Sequence, residues 1–93
     1  MAKTKVIFRQ WKNGDIIALF PEVACDILGY NCQSYMQVGQ HGAASPDLVV
    51  DTKPVKNEDY TNLFNELTVL GYDLKIVKKF TYSMQKIRMR MFK

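Results

Sequence analysis

Between Lys75 and Lys93 the chain places seven of its thirteen basic residues and no acid. Lys75, Lys78, Lys79, Lys86, Arg88, Arg90 and Lys93 give residues 74–93 a formal +7, while six basic and nine acidic residues give residues 1–73 a formal −3. Cations at this density can follow the phosphates of a nucleic acid, and neighbouring aromatics such as Tyr82 or Phe92 can stack on bases. The same charges suit an acidic protein surface. A plainer reading is a solvated face, in which Met84, Ile87 and Met91 dock on the core while the cations confer solubility or pair with the acidic body. A third is a methionine-rich, adaptable surface for a protein partner.

The other segment with chemical content is Val38-Gly39-Gln40-His41-Gly42-Ala43-Ala44-Ser45-Pro46, which holds the single histidine of the chain. Glycines free the backbone there, and small residues would let a ligand approach, so Gln40, His41 and Ser45 form a candidate loop site. Set against this, loop polar groups commonly do no more than satisfy backbone partners. The stretch lacks the lysine and Ser/Thr of a P-loop and the spacing of a dinucleotide fingerprint. Cys25, Cys32 and His41, even with Asp26, fit no standard zinc spacing, and no local signature marks Cys32 with His41 as a nucleophile–base pair. No catalytic residue, metal or cofactor is therefore assigned.

Composition bounds the rest. Ninety-three residues, 47% hydrophobic and 24% charged, suit one globular domain spanning 1–93. Its first residues carry no signal-peptide pattern, and no apolar run reaches the roughly 18 residues of a membrane span. These features predict a cytoplasmic protein without a membrane partner, and cysteines that remain thiols.

Which elements position the candidate residues follows from periodicity. Lys5–Lys12 and Asp15–Phe20 are rich in β-branched and aromatic residues, and Asn13-Gly14 between them suits a two-residue type I′ turn. That turn would set Ile7 opposite Phe20 and place Ile7, Trp11, Ile16, Ala18 and Phe20 on one face, with Phe8, Ile17 and Leu19 on the other. Pro21 should end the second strand. Residues 22–33 suggest a helical turn and a loop, Ser34–Val38 a third strand, and residues 39–46 an irregular connection. A brief extended segment is expected at Asp47–Asp51. Tyr60, Leu63, Phe64, Leu67 and Leu70 predict a helix, capped by Asn57, with Glu58 and Asp59 in its first turn and Gly71 just past its end. Alternation from Tyr72 predicts a strand through at least Lys79. Phe80, Met84, Ile87 and Met91 give residues 82–93 the spacing of a short amphipathic helix, whereas Ile87, Met89 and Met91 alternate as in a strand. The lack of a hairpin turn signal between Tyr82 and Lys86 favours the helix over the strand; a basic tail is the remaining form.

Three stretches, Lys5–Glu22, Ser34–Leu48 and Leu70–Lys79, together resemble a group of small uncharacterised proteins of gut bacteria and their tailed phages. The block Val38-Gly39-Gln40-His41-Gly42 is similar in that group, whereas residues 22–33 are longer here. This resemblance implies a phage-related setting, in the host cytoplasm or a virion, and no mechanism.

The expectation is thus an α+β fold. A small antiparallel sheet, made of the N-terminal hairpin and two further strands, carries one main helix and a basic C-terminal segment. Its expected role is that of a non-enzymatic binding module acting through the cationic segment. The alternatives are a phage-associated protein–protein contact, a homo-oligomer or virion component, and a small-ligand or catalytic site at His41.

Overall fold

The computed structural model describes residues 3–36 and 41–90. Six strands and two α-helices follow in the order β1 (Thr4–Gln10), β2 (Ile16–Ala24), β3 (Cys32–Tyr35), β4 (His41–Ala44), β5 (Lys53–Pro54), α1 (Asn57–Val69), β6 (Leu74–Ile76) and α2 (Tyr82–Arg90). A 3-10 helix, Pro46–Val50, sits between β4 and β5. The sheet runs β4-β3-β2-β1-β5 with antiparallel neighbours throughout. β1 has two edges and three partners, so β5 and β6 divide its outer edge. β5 pairs with Arg9 and Gln10, and β6 runs parallel to Thr4–Val6. The α+β architecture expected from the sequence is present, with one parallel pair added by the crossover through α1.

Gly14 sets the register of the hairpin. Trp11 N–H donates to the Asp15 carbonyl and Gly14 N–H to the Trp11 carbonyl, while Gly14 takes φ 97°. This is a three-residue loop closed by a left-handed glycine, in place of the two-residue turn expected at Asn13-Gly14. The one-residue difference slides the ladder, so Ile7 faces Leu19 and Phe8 faces Ala18. With a side-chain period of two, that slip exchanges the faces of β1 relative to β2. Val6, Phe8, Ala18 and Phe20 share one face, and Ile7, Ile17 and Leu19 the other.

Both faces are covered. α1 brings Leu63 and Leu67 onto the first, where Tyr60 stacks on Phe8 (centroids 4.5 Å apart) and Tyr72 on Phe20 (5.0 Å). Leu48 of the 3-10 helix, Val77 and Phe80 pack on the second. Arg9 ties down the end of the 3-10 helix by donating to the carbonyls of Val49 and Thr52 and to Thr52 Oγ1.

Several local expectations are corrected. Pro21 lies within β2, which continues to Ala24 through a register shift between Phe20 and Ala24. A bulge tolerates a residue that cannot donate to the ladder. Residues 22–33 accordingly hold strand ends around a tight loop, and the segment expected to be extended at Asp47–Asp51 is mostly 3-10 helix. Residues 41–44, expected to be irregular, form the edge strand β4. α1 starts at Asn57, which leaves Lys56 at the N-cap position with no side-chain cap, and Leu70 falls outside the buried stripe. At its other end Gly71 (φ 108°) closes a Schellman motif, with Gly71 N–H on the Thr68 carbonyl and Tyr72 N–H on that of Leu67. β6 ends at Ile76: Val77 N–H still donates to the Val6 carbonyl, after which Lys78-Lys79 bend the chain toward α2.

Candidate binding surface on the C-terminal helix

α2 exists because Thr81 caps it and one stripe finds a seat. Met84 N–H donates to Thr81 Oγ1 at 3.3 Å, and Gln85 N–H to the Thr81 carbonyl at the same distance. Met84 and Arg88, four residues apart and hence on one side of the helix, are its buried residues. Arg88 is only 3% exposed. Its Nε donates to the Gly29 carbonyl at 3.1 Å and a terminal nitrogen to the Pro21 carbonyl. The guanidinium also lies 5.9 Å from the centre of the Phe80 ring. Arg88 therefore departs from the expected set of contact cations: it fastens α2 to the sheet.

The two acceptors are products of local backbone chemistry. Bulging at Pro21 leaves a carbonyl outside the regular ladder. Gly29 belongs to a loop held by the Asp26 carboxylate, which accepts from the amides of Tyr30 (2.9 Å) and Asn31 (3.2 Å). At Gly29, φ is 76°, and a Cβ would come within 2.7 Å of the backbone of Arg88 and Met89. No residue with a side chain fits there without displacing the helix.

Opposite the buried stripe, α2 exposes Tyr82, Lys86 and Arg90, again at intervals of four. Lys86 Nζ sits 4.8 Å over the Tyr82 ring. Lys75 is exposed on β6, and Lys78 and Lys79 are exposed in the bend that leads to Phe80 and Thr81. The ion pair between described residues is Lys5 with Glu22, at 3.0 Å, so none of these five cations is matched to a described carboxylate. Lys93 and Gln40 lie outside the described residues.

Beside Tyr82 the surface folds into a cleft of about 570 Å³. Tyr30 and Asn31 from the loop, Ser45 and Asp47 from the start of the 3-10 helix, and Phe80, Tyr82, Gln85 and Arg88 from the C-terminal segment line it. Tyr30 is 58% exposed and Tyr82 70%. The cleft thus joins two exposed aromatic rings, that of Tyr82 with Lys86 over one face, with amide and hydroxyl groups, the Asp47 carboxylate and the edge of a buried cation.

The candidate loop residues are not brought together. His41 stands on edge strand β4, its Nε2 3.3 Å from the Tyr72 hydroxyl and its ring edge-on to Tyr35. Ser45 caps the 3-10 helix by accepting from the Asp47 amide at 3.2 Å, and it faces the cleft. Cys32 pairs with Ala44 and packs on the second face of the sheet, whereas His41 pairs with Tyr35 and meets the aromatics of the first. The pleat therefore separates Cys32 from His41. Burial pushes the Cys32 thiol up to about 11, with the nearby charge of Arg88 opposing part of that rise. Among the described residues, no group of three or more His, Cys, Asp or Glu could hold a metal ion.

Sequence reasoning missed Gly29 and Pro21, whose carbonyls meet Arg88 across 59 and 67 positions of chain, and Tyr30, which lines the cleft beside Tyr82. The expected apolar stripe ran through Phe80, Met84, Ile87 and Met91, of which Phe80 precedes α2 and packs on the second face of the sheet. Met84 is buried, Ile87 is substantially exposed, and Met91 lies outside the described residues. Among the described residues no helix is long and apolar enough to cross a membrane. No protein-family model, curated protein or solved structure matches this chain.

Proposed function

We propose that this chain is a non-enzymatic binding module whose ligand is nucleic acid, held by the free face of α2 and the bend before it. The observation that carries this reading is the stripe Tyr82–Lys86–Arg90, set on a fixed helix opposite Arg88 and preceded by Lys78-Lys79. A rigid row of unmatched cations beside an open aromatic ring supplies the two contacts a nucleic-acid strand offers, phosphate charge and base face. Arg88 is subtracted from that set, since it is buried and two of its nitrogens donate to backbone carbonyls. The test is a salt titration of binding to labelled random-sequence oligonucleotides. Measurable binding at low salt that falls steeply as salt rises is expected, and no binding at low salt would end the proposal.

A second reading, contact with a protein partner in a phage-related setting, is favoured by Ile27 and Leu28. These are 79% and 61% exposed at the tip of the Asp26 loop. They replace the methionine-rich surface expected from the sequence, because Met84 is buried and Met89 half-buried. Light scattering tests its self-associating form: a concentration-dependent dimer that Ile27→Ser with Leu28→Ser abolishes would support it, and a monomer at all concentrations would count against it.

A further inference from the structure

The geometry points to the cleft between Tyr30 and Tyr82 as a pocket for an unstacked base, which makes the ligand of this surface a single strand in preference to a duplex. This rests on the nucleic-acid reading above and narrows it. Two tyrosine rings, one from the loop before β3 and one from the first turn of α2, line the same cleft while remaining 58% and 70% exposed. Large aromatic faces left open to water in a small domain offer the contact that bases lacking a stacking partner seek. A base inside a duplex is stacked on both sides and cannot reach them; a base in a single strand can.

Size and polarity agree. A volume of about 570 Å³ lies within the range of small-ligand sites. The amides of Asn31 and Gln85, the Ser45 hydroxyl and the Asp47 carboxylate offer donors and acceptors to base edges. Cations for the backbone stand next to lining residues. Lys78 and Lys79 immediately precede the lining residue Phe80, and Lys86 lies over Tyr82. The walls of the cleft are tied by hydrogen bonds. Asp26 fixes the loop that carries Tyr30, Thr81 caps the helix that carries Tyr82, and Arg88 joins the two through the Gly29 carbonyl.

The experiment compares the full chain with Tyr30→Ala/Tyr82→Ala and Tyr30→Phe/Tyr82→Phe. Each is titrated into a fluorescein-labelled 20-nucleotide single strand and into the duplex of the same sequence, at one fixed salt concentration. The wild type is expected to prefer the single strand by about tenfold or more. The double alanine variant should lose that preference while keeping its melting temperature, and the double phenylalanine variant should restore it. Equal affinity of the wild type for both forms would overturn this inference alone, as would an alanine variant that binds the single strand like the wild type. Binding to neither form would overturn the nucleic-acid reading and this inference with it.

Discussion

α1 and α2 cover opposite sides of one sheet by different means. α1 does so with a conventional apolar stripe, seating Leu63 and Leu67 among the inward residues of β1 and β2 and stacking Tyr60 on Phe8. α2 has nine residues, buries Met84 and Arg88, and fastens itself with hydrogen bonds from a cation to two backbone carbonyls. The contrast teaches how a short, highly basic helix can be held. Its long basic side chain satisfies carbonyls that a bulge and a tight glycine loop have freed, and its remaining charges stay available. Burying Arg88 costs desolvation, which the hydrogen bonds and the Phe80 ring offset in part.

Breaking the first attachment should cost most. Leu67→Ala removes a fully buried side chain beneath α1 and is expected to lower stability by about 2–5 kcal/mol in chemical denaturation. Arg88→Met keeps much of the side-chain volume but leaves the Pro21 and Gly29 carbonyls unpaired, at about 2–4 kcal/mol. If α2 were held by its methionine alone, Arg88→Met would be near neutral. Gly29→Ala attacks the same joint from the other side, through a left-handed backbone and a clash with the backbone of Arg88. A loss of about 1–3 kcal/mol is expected there, and equal stability would show that α2 is not seated on Gly29.

A gentler probe is pH. The Cys32 thiol ionises near 11 in the folded chain, above its unfolded value of about 8.5. Between those values the unfolded state releases the proton first, so stability should decline as pH rises from about 8.5 toward 11 and level off above it. Cys32→Ser should flatten that decline. In native protein at neutral pH a thiol reagent should label exposed Cys25 and spare Cys32. The smallest change in stability is expected from Lys86→Ala with Arg90→Ala, within about 0.5 kcal/mol, since both side chains face water.

How far the sequence reveals this arrangement depends on the range of the interactions. The Leu63–Leu67 stripe, the Gly71 terminus and the two apolar faces of the hairpin were legible because their signals are local and periodic. The hairpin register was not: Asn13-Gly14 is compatible with a two-residue or a three-residue loop, and the choice of one moves every β1 side chain to the other face. β4 was hidden because His41, Gly42 and Ala43 have little strand character of their own, and pairing with β3 supplies it. For the candidate site, the exposed cations Lys75, Lys78, Lys79, Lys86 and Arg90 were legible as charge. The inward turn of Arg88 was not. Its place four residues after Met84 sets it on the apolar side, away from Arg90, but its acceptors are set by a bulge and a loop far away in the chain. Tyr30 was overlooked for the same reason, being brought beside Tyr82 only by the fold.

The division of labour on α2 is tested most directly by fluorescence anisotropy of a labelled single-stranded oligonucleotide. Salt is varied for the wild type and for Lys86→Ala/Arg90→Ala. The expectation is a linear fall of log affinity with log salt for the wild type. The double variant, with unchanged melting temperature, should bind more weakly and with a slope shallower by about 1.4, roughly 0.7 for each lost phosphate contact. Identical slopes for the two proteins, or no binding by the wild type at low salt, would contradict the assignment of the free face of α2 to nucleic acid.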